Sequence, residues 1–244
     1  MKTIISHFYN EEYLLPWWLN HHKKYFDHGI LINYFSDDNS INLIKEICPT
    51  WEVINTKNDS FDAMLVDKEV MEIEKSLSGW RIVLNTTEFL IGDLSKLDNI
   101  SEKTDFFIPP FIMIDSTGDE FNHPNPNEEL VLQRTHGVSY IHKQYFDFKN
   151  ARKMSNYYSD YPLGRHFHHY NTEEFVILWY GFSPINEELI KRKVQIQKNI
   201  PESNKAKRIG FHHLVDREQV LAQFRGWQLS TVNLESEIKK LYKP

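Results

Sequence analysis

The chain of 244 residues has very little cysteine and no long apolar run. Its single cysteine, Cys48, excludes an internal disulfide and a zinc site built from cysteines, which fits a reducing compartment. The longest uncharged apolar stretch, 106–114, spans about nine residues and contains two prolines, whereas a membrane helix needs roughly twenty residues. The apolar stretch at residues 1–5 is too short for a signal peptide. We therefore expect a cytoplasmic protein without a transmembrane segment.

Basic residues are outnumbered, since 28 Lys and Arg face 34 Asp and Glu and the formal net charge is −6. A general binder of nucleic acid or anionic membranes is usually basic, so this charge disfavours both classes. Hydrophobic residues make up 41 % and charged residues 25 %, which is ordinary for a globular chain and excludes a disordered or fibrous one. The unusual surplus is aromatic, at 14 %, and it indicates either core packing or a stacking surface for sugars and bases.

Short apolar runs alternate with amphipathic ones over the first 115 residues. Strands are predicted at 3–8, 30–35, 51–55 and 80–84. Helices are predicted at 14–26, 41–47 and 61–77. Strands that alternate with helices indicate an α/β fold, with a central mixed, mostly parallel sheet flanked by helices. Such a sheet binds its ligands in the crevice at the carboxyl ends of its strands.

The second half of the chain is less regular. Further strands are predicted at 106–108, at 111–114 and within 138–148. Helices are predicted at 186–197 and 215–224, and residues 115–129 read as a polar loop. The sequence shows no internal repeat and no low-complexity linker, so we expect a single domain over 1–244.

Polar clusters follow three of the predicted strands, at residues 10–12, 36–40 and 85–88. Each cluster alone is typical of a helix start or a turn. Because the carboxyl ends of parallel strands meet at one edge of a sheet, the three clusters are expected to line a shared crevice. Their joint placement is what indicates a functional site.

Four segments resemble, in the same order, blocks of a known enzyme group. Residues 7–22 (HFYNEEYLLPWWLNHH) resemble the opening of GT-A-fold glycosyltransferases near the family 2 and family 92-like groups. Residues 29–40, 80–90 and 169–175 are similar to the group's next strand-and-turn block, its Asp-x-Asp block and a late His-Tyr-x-x-x-Glu-Glu-Phe element. The opening segment is also similar to glycosyltransferases of algal large DNA viruses that decorate the capsid protein.

The resemblance implies a GT-A fold with a nucleotide-binding half, 1–115, and an acceptor-side half, 116–244. It implies transfer of a sugar from a nucleotide-diphosphate sugar, a UDP-sugar in many members, to a hydroxyl of a glycan or glycoprotein acceptor. Nucleic acid is not an expected partner. The residues expected around the donor are Phe8, Tyr9, Asn10, Glu12, Asp38, Asp62, Asn85 and Thr87. Asp62 by itself is more typical of a helix cap.

The resemblance also implies a divalent cation, Mn²⁺ or Mg²⁺, that neutralises the diphosphate leaving group. The carboxylates of the Asp-x-Asp motif are replaced here by Asn85 and Thr87, followed by Glu88. Hard cations prefer charged oxygens, so three alternatives stay open. Glu88 holds the cation with help from Thr87 or His169, or Lys and Arg side chains serve the phosphates without a metal. In the third alternative the chain has lost activity and is a carbohydrate-binding or scaffold domain.

An inverting transferase needs a general base near the acceptor hydroxyl. Asp115 follows a predicted strand and Asp119 lies in the polar loop beyond it, so both are candidates, although acids in such loops are often only solvated. The histidines within 166–169 leave a metal-dependent hydrolase as a separate function, whereas the helical spacing of His22 predicts a packing histidine. The basic runs 191–193 and 205–208 are typical of a solvated helix face or loop, and a docking patch for an acidic carrier or a membrane surface is the alternative.

Overall fold

The first half of the chain folds into the strands and helices that its apolar periodicity predicts, together with one further strand at Glu88–Gly92. A computed structural model describes residues 1–100, 106–115, 123–138, 152–156, 171–210, 213–228 and 231–244. The strands of the first half are β1 (Lys2–Phe8), β2 (His28–Asn33), β3 (Glu52–Asn55), β4 (Trp80–Val83) and β5 (Glu88–Gly92). The helices of this half are α1 (Leu15–His22), α2 (Ser40–Ile47) and α3 (Ala63–Ser76), and a 3₁₀ turn covers Leu94–Asn99.

Local sequence explains where these helices begin and end. Pro16 lies in the first turn of α1, where a backbone N–H has no partner within the helix. Helix α1 ends at His22, earlier than predicted. In the turn that follows, the N–H groups of Lys24 and Tyr25 donate to the carbonyls three residues before them, instead of four as in an α-helix. Gly79 has a φ of 80°, a left-handed conformation that suits glycine, and it turns the chain from α3 into β4.

The second half adds short strands and helices. Its strands are β6 (Phe106–Phe107), β7 (Phe111–Met113), β8 (His136–Gly137), β9 (Met154–Ser155), β10 (Phe175–Trp179) and β11 (Val232–Asn233). Its helices are α4 (Leu130–Gln133), α5 (Glu187–Gln195), α6 (Glu202–Ala206), α7 (Arg217–Gln228) and α8 (Glu235–Leu241). The helices predicted at 186–197 and 215–224 correspond to α5 and α7. The strands predicted within 138–148 lie, apart from Val138, outside the described residues.

Sequence patterning missed the pair of strands β5 and β10. They pair antiparallel, with Glu88 opposite Trp179 and Gly92 opposite Phe175. The sequence predicts 85–88 as one polar strand end, whereas the chain enters a new strand at Glu88 and buries it to 1 % exposure. A five-residue strand that is buried throughout has no alternation of polar and apolar residues, so periodicity does not reveal it.

The topology confirms the predicted mixed, mostly parallel sheet. Among the described residues the larger sheet has the order β3-β2-β1-β4-β9-β6, in which β3, β2, β1 and β4 run parallel and β9 is antiparallel to β4 and β6. Strands β5, β10 and β7 form a second sheet, and β8 pairs with β11. Because β2 and β3 lie on one side of β1 and β4 lies on the other, the winding of the sheet reverses between β1 and β4. Open α/β sheets have their ligand crevice at this reversal.

Both faces of the larger sheet are covered by apolar side chains. Successive residues of β1 point to opposite faces. Ile4 belongs to the cluster on the α1 face, which contains Trp18, and Ile5 belongs to the cluster on the α3 face, which contains Val66 and Val70. Helices α5 and α7 share a third, smaller cluster. In the part of the chain that the structure describes, no helix is long and apolar enough to cross a membrane.

Candidate functional site

A cavity of about 460 Å³ opens at the carboxyl ends of β1 and β4, where the winding of the sheet reverses. Its walls are formed by the residues after β1 and β4, by the end of β10 and by helix α5. Its aromatic lining residues are Phe8, Tyr9, Phe61, Trp179, Phe182 and Trp227. Its polar and charged lining residues are His7, Glu11, Asn85, Thr86, Thr87, Arg192, Lys193, His213 and Gln223. Four of the residues predicted around the donor, Phe8, Tyr9, Asn85 and Thr87, therefore lie at this cavity.

The loop after β4 is held in place by a buried tryptophan and by Glu88. Trp18 of α1 donates its indole N–H to the carbonyls of Asn85 and Glu88, at 3.1 and 3.0 Å. Asn85 donates its backbone N–H to Glu88 Oε2 at 2.9 Å and its side-chain amide to Glu88 Oε1 at 2.7 Å. Asn85 is thus fixed at the cavity wall by a carboxylate that lies behind it.

Glu88 forms a buried ion pair with Arg152 of the segment before β9. Arg152 Nε donates to Glu88 Oε2 at 3.1 Å, and an Arg152 terminal nitrogen donates to Glu88 Oε1 at 2.9 Å. The two residues are only 1 % and 5 % exposed, respectively. Both carboxylate oxygens of Glu88 therefore already accept hydrogen bonds from a cation and from Asn85, which is the bidentate geometry that arginine favours.

These contacts test whether the residues fit the predicted cation. A Mn²⁺ or Mg²⁺ ion needs several free oxygen ligands, with charged ones preferred. The oxygens of Glu88 are engaged, and within the described ranges no group of three or more His, Cys, Asp or Glu side chains is close enough to share a metal ion. The described residues therefore do not fit a cation held by Glu88. His169, the other predicted ligand, lies outside the described residues.

The predicted nucleoside ligands Asn10, Glu12 and Asp38 join the loops after β1 and β2. The Asn10 side chain donates to Asp37 Oδ1 at 2.6 Å and accepts from the Asp37 N–H at 2.9 Å. Asp38 accepts from the Glu12 N–H at 3.0 Å, and Glu12 accepts from the Asn39 N–H at 2.9 Å. None of the three predicted ligands lines the cavity. They set the shape of the loops whose neighbouring residues do line it.

Two other predicted site residues lie away from the cavity. Asp62 caps α3, because its Oδ1 accepts from the N–H groups of Met64 and Leu65 at 3.0 and 3.2 Å. Asp115 follows β7, is 1 % exposed and does not line the cavity. A general base must come within hydrogen-bond reach of the acceptor hydroxyl. The role of general base therefore stays a prediction for Asp115. Asp119, the second predicted base, lies outside the described residues.

Helix α5 contributes two basic side chains to the cavity in two different settings. Arg192 forms an ion pair through its Nε with Glu11, which follows β1. Lys193 places its Nζ 3.7 Å from the ring centre of Phe182 and 5.7 Å from that of Trp179. Burial and, to a lesser extent, the charge of Arg192 lower the pKa of Lys193 to about 7, while the charge of Glu11 opposes the change. The prediction of a solvated helix face at 191–193 is wrong for Lys193.

Trp179 forms the wall of the cavity at the end of β10. Its indole N–H donates to Thr87 Oγ1 at 3.1 Å, so it ties β10 to the loop after β4. Its ring lies against the backbone of Gly181, where an added Cβ would meet Trp179 Cζ2 at 2.0 Å. Only glycine leaves room for the ring in this position, so Gly181 keeps Trp179 beside Phe182 and Lys193.

Two buried histidines of α1 serve packing rather than chemistry. His22 Nδ1 lies 2.9 Å from the Trp18 carbonyl and therefore carries the proton, while its Nε2 accepts from the Leu90 N–H at 3.3 Å. Burial and the neighbouring His21 lower the pKa of His22 well below its ordinary value, so the ring is neutral. His21 contacts the Leu90 carbonyl at 2.8 Å and Glu129 at 3.0 Å. The prediction of a packing histidine at His22 is confirmed.

Sequence reasoning missed the cavity residues of α5 and β10, although one signal was present. Lys193 follows Leu189 by four residues, and residues four apart share one face of a helix. Leu189 is fully buried, so the spacing placed Lys193 on the inward face. Arg152 has no such local signal, because its partner Glu88 is 64 residues away in sequence.

Comparisons with known proteins give a remote structural likeness. No family model and no curated protein matches this chain. A structure of S. aureus TarS 1–349 in complex with UDP-GlcNAc is similar with 10 % identity and a TM-score of 0.41, over 94 % of this chain and 72 % of that chain. Another S. aureus TarS structure matches with 10 % identity and a TM-score of 0.34, over 54 % of this chain and only 26 % of that chain. The inositol-1-phosphate CTP transferase from T. maritima matches with 10 % identity and a TM-score of 0.36, over 79 % of this chain and 96 % of that chain.

Proposed function

We propose that this chain is a glycosyltransferase that moves a sugar from a nucleotide-diphosphate donor, a UDP-sugar, to a hydroxyl of a glycan or glycoprotein. The observation that supports this most strongly is the place of the cavity at the carboxyl ends of β1 and β4. Open α/β sheets bind nucleotides where the winding of the sheet reverses. The volume, about 460 Å³, lies within the range of roughly 300–1,000 Å³ that small-molecule sites occupy.

The lining suits a ligand that combines flat rings, hydroxyls and negative charge. Tyr9 and Phe61 offer ring faces on the side of β1, where a base can stack. Trp179 and Phe182 offer ring faces on the side of β10, where the apolar face of a sugar can pack. The Asn85 amide provides hydrogen-bonding groups at the wall between them.

The resemblance of residues 7–22 to the opening of GT-A glycosyltransferases supports the same function, and it does not depend on the cavity geometry. The segment contains the carboxyl end of β1 and all of α1. Membership near families 2 and 92 belongs to this proposal and rests on the four resembling segments. A capsid-type glycoprotein acceptor, as in the algal-virus enzymes, also belongs to it and rests on residues 7–22 alone. The proposed transfer needs no cation at Glu88, since the described residues do not fit one there.

A second candidate is a carbohydrate-binding or scaffold domain that has kept the fold and lost catalysis. The observation that favours it is the loop after β4. Asn85 and Thr87 are neutral where the resembled group has carboxylates, and Glu88 is engaged by Arg152. This candidate shares the cavity with the first but forms no product.

A thermal-shift screen against UDP-, GDP- and CDP-sugars tests both candidates for binding. A ligand at about one hundred times its Kd stabilises the native state by about 2.7 kcal/mol, which raises Tm by roughly 5–10 °C in a chain of this size. We expect such a rise with a UDP-sugar. A donor that binds and is then hydrolysed or transferred supports the transferase, and one that binds without product supports the scaffold. If no nucleotide sugar changes Tm, the proposed function is wrong.

A further inference from the structure

The two basic side chains that α5 brings to the cavity differ in what compensates their charge. Arg192 faces Glu11, so its positive charge is balanced within the protein. Lys193 faces the rings of Phe182 and Trp179, and among the residues that the structure describes no carboxylate lies within ion-pair distance of its Nζ. Aromatic faces attract an ammonium group but do not neutralise it. Lys193 therefore brings to the cavity a basic group that forms no ion pair with a described carboxylate, and among those carboxylates only the more distant charge of Glu11 acts on it.

We propose that Lys193 binds the diphosphate of the donor through its Nζ and that this contact needs no metal bridge from Glu88. The inference rests on the proposed function and adds to it the residue that recognises the anion. Its first support is the position of Lys193 at a cavity with aromatic walls on both sides. Its second support is that the carboxylate predicted to hold a metal is already paired with Arg152 and Asn85. A diphosphate is the kind of ligand that would supply the missing negative charge.

The same geometry gives Lys193 a signature that a purely structural lysine lacks. Because burial lowers its pKa to about 7, a large share of the free protein carries a neutral Lys193 above that pH. A bound diphosphate favours the charged form, so binding takes up a proton. Affinity for the diphosphate should then fall by up to about tenfold per pH unit above about pH 7. The other titratable groups of the cavity are His7, Tyr9, Glu11, Arg192 and His213.

The experiment is calorimetric binding of UDP and of uridine to the full chain, in EDTA, between about pH 7.5 and 9. The terminal phosphate of UDP is fully ionised over that range, since its pKa lies near 6, and histidines ordinarily titrate near 6.5. The variants are Lys193→Met, which keeps the apolar stem against Phe182, and Lys193→Arg, which keeps a charge that does not titrate. Lys191→Met is the matched control, because Lys191 is exposed on the same helix.

We expect Lys193→Met to weaken UDP binding by about ten- to a hundredfold near pH 7.5 while uridine binds as it does to the wild type. Lys193→Arg should bind UDP with an affinity that no longer falls with pH, and Lys191→Met should behave like the wild type. If Lys193→Met fails to fold, the change of wild-type UDP affinity with pH still decides whether Lys193 binds the diphosphate.

The outcomes separate the failure of this inference from the failure of the proposed function. A wild type that binds UDP in EDTA, with unchanged affinity in Lys193→Met or with no pH dependence, overturns the role of Lys193 and leaves the proposed function standing. Loss of all wild-type binding in EDTA, restored by Mn²⁺, overturns the metal-free contact. Absence of binding to UDP and to every nucleotide sugar, with and without Mn²⁺, contradicts the proposed function itself.

Discussion

Replacing Glu88 by glutamine separates a structural ion pair from a metal ligand. The substitution removes one negative charge beside a buried guanidinium and turns one acceptor oxygen into a donor. That donor faces either Arg152 or Asn85, which are both donors to Glu88, at 2.7–3.1 Å. Breaking a buried ion pair from one side typically costs about 3–5 kcal/mol. We expect Glu88→Gln to lose that amount of the free energy of unfolding, a large share of the roughly 5–15 kcal/mol of an ordinary domain.

Urea unfolding followed by circular dichroism measures this loss, and it should lower the midpoint by about 1 M or more. Glu174→Gln is the matched control, because Glu174 pairs with Lys96 at 3.4 Å while both side chains are half exposed. An exposed pair of this kind contributes about 0–1 kcal/mol. A Glu88→Gln variant as stable as the control, but no longer stabilised by Mn²⁺, would refute the ion-pair reasoning and restore Glu88 as a metal ligand.

Three further predictions concern other parts of the structure. Gly181→Ala should displace the Trp179 ring, lower the free energy of unfolding in urea by roughly 1–3 kcal/mol and weaken UDP binding. An unchanged UDP affinity would contradict the placement of Trp179 in the wall of the donor cavity. Burial raises the pKa of Glu129, but hydrogen bonds from His21 and a neighbouring lysine outweigh it and lower the pKa from 4.5 to about 2. The stabilisation by ionised Glu129 is therefore complete above about pH 4.5 and is lost as the pH falls towards 2. Glu129→Gln should lower the free energy of unfolding by roughly 2–3 kcal/mol at pH 7 and by progressively less in acid. A loss of stability that does not change with pH would contradict this role of Glu129. Asp62→Ala should cost about 1 kcal/mol by removing the α3 cap and leave UDP affinity unchanged, and a lost affinity at unchanged stability would instead support the donor contact predicted for Asp62.

The parallel half of the fold could be predicted because each element carries its own local signal. The apolar runs that become β1 to β4 are separated by helices with clear spacing, and turn residues such as Gly79 mark their ends. The place where the winding of the sheet reverses follows from these elements, so the edge of the sheet that holds the cavity was predictable. Strands β5 and β10 were missed because they are short and, apart from the partly buried Trp179, buried along their whole length.

The chemistry of the site was less predictable, because it depends on contacts between distant segments. The polar clusters at 10–12 and 36–40 do lie at the expected edge, but Asn10 and Asp38 bond to the opposite loop rather than face the cavity. A sequence shows that polar groups are near each other and does not show which of them bond among themselves. For the same reason Glu88 was predicted as a ligand, since its partner Arg152 lies in a segment without a recognisable pattern.

A crystal structure of the protein with bound UDP would show directly whether the cavity is the donor site and whether Lys193 binds the diphosphate. We expect UDP in the cavity between the carboxyl ends of β1 and β4, with the uracil ring beside Tyr9 and Phe61. A phosphate oxygen should lie about 2.7–3.2 Å from Lys193 Nζ. UDP bound outside this cavity would show that the cavity is not the donor site. UDP bound inside it, with its phosphates on a metal at Glu88 and away from Lys193, would overturn the role of Lys193.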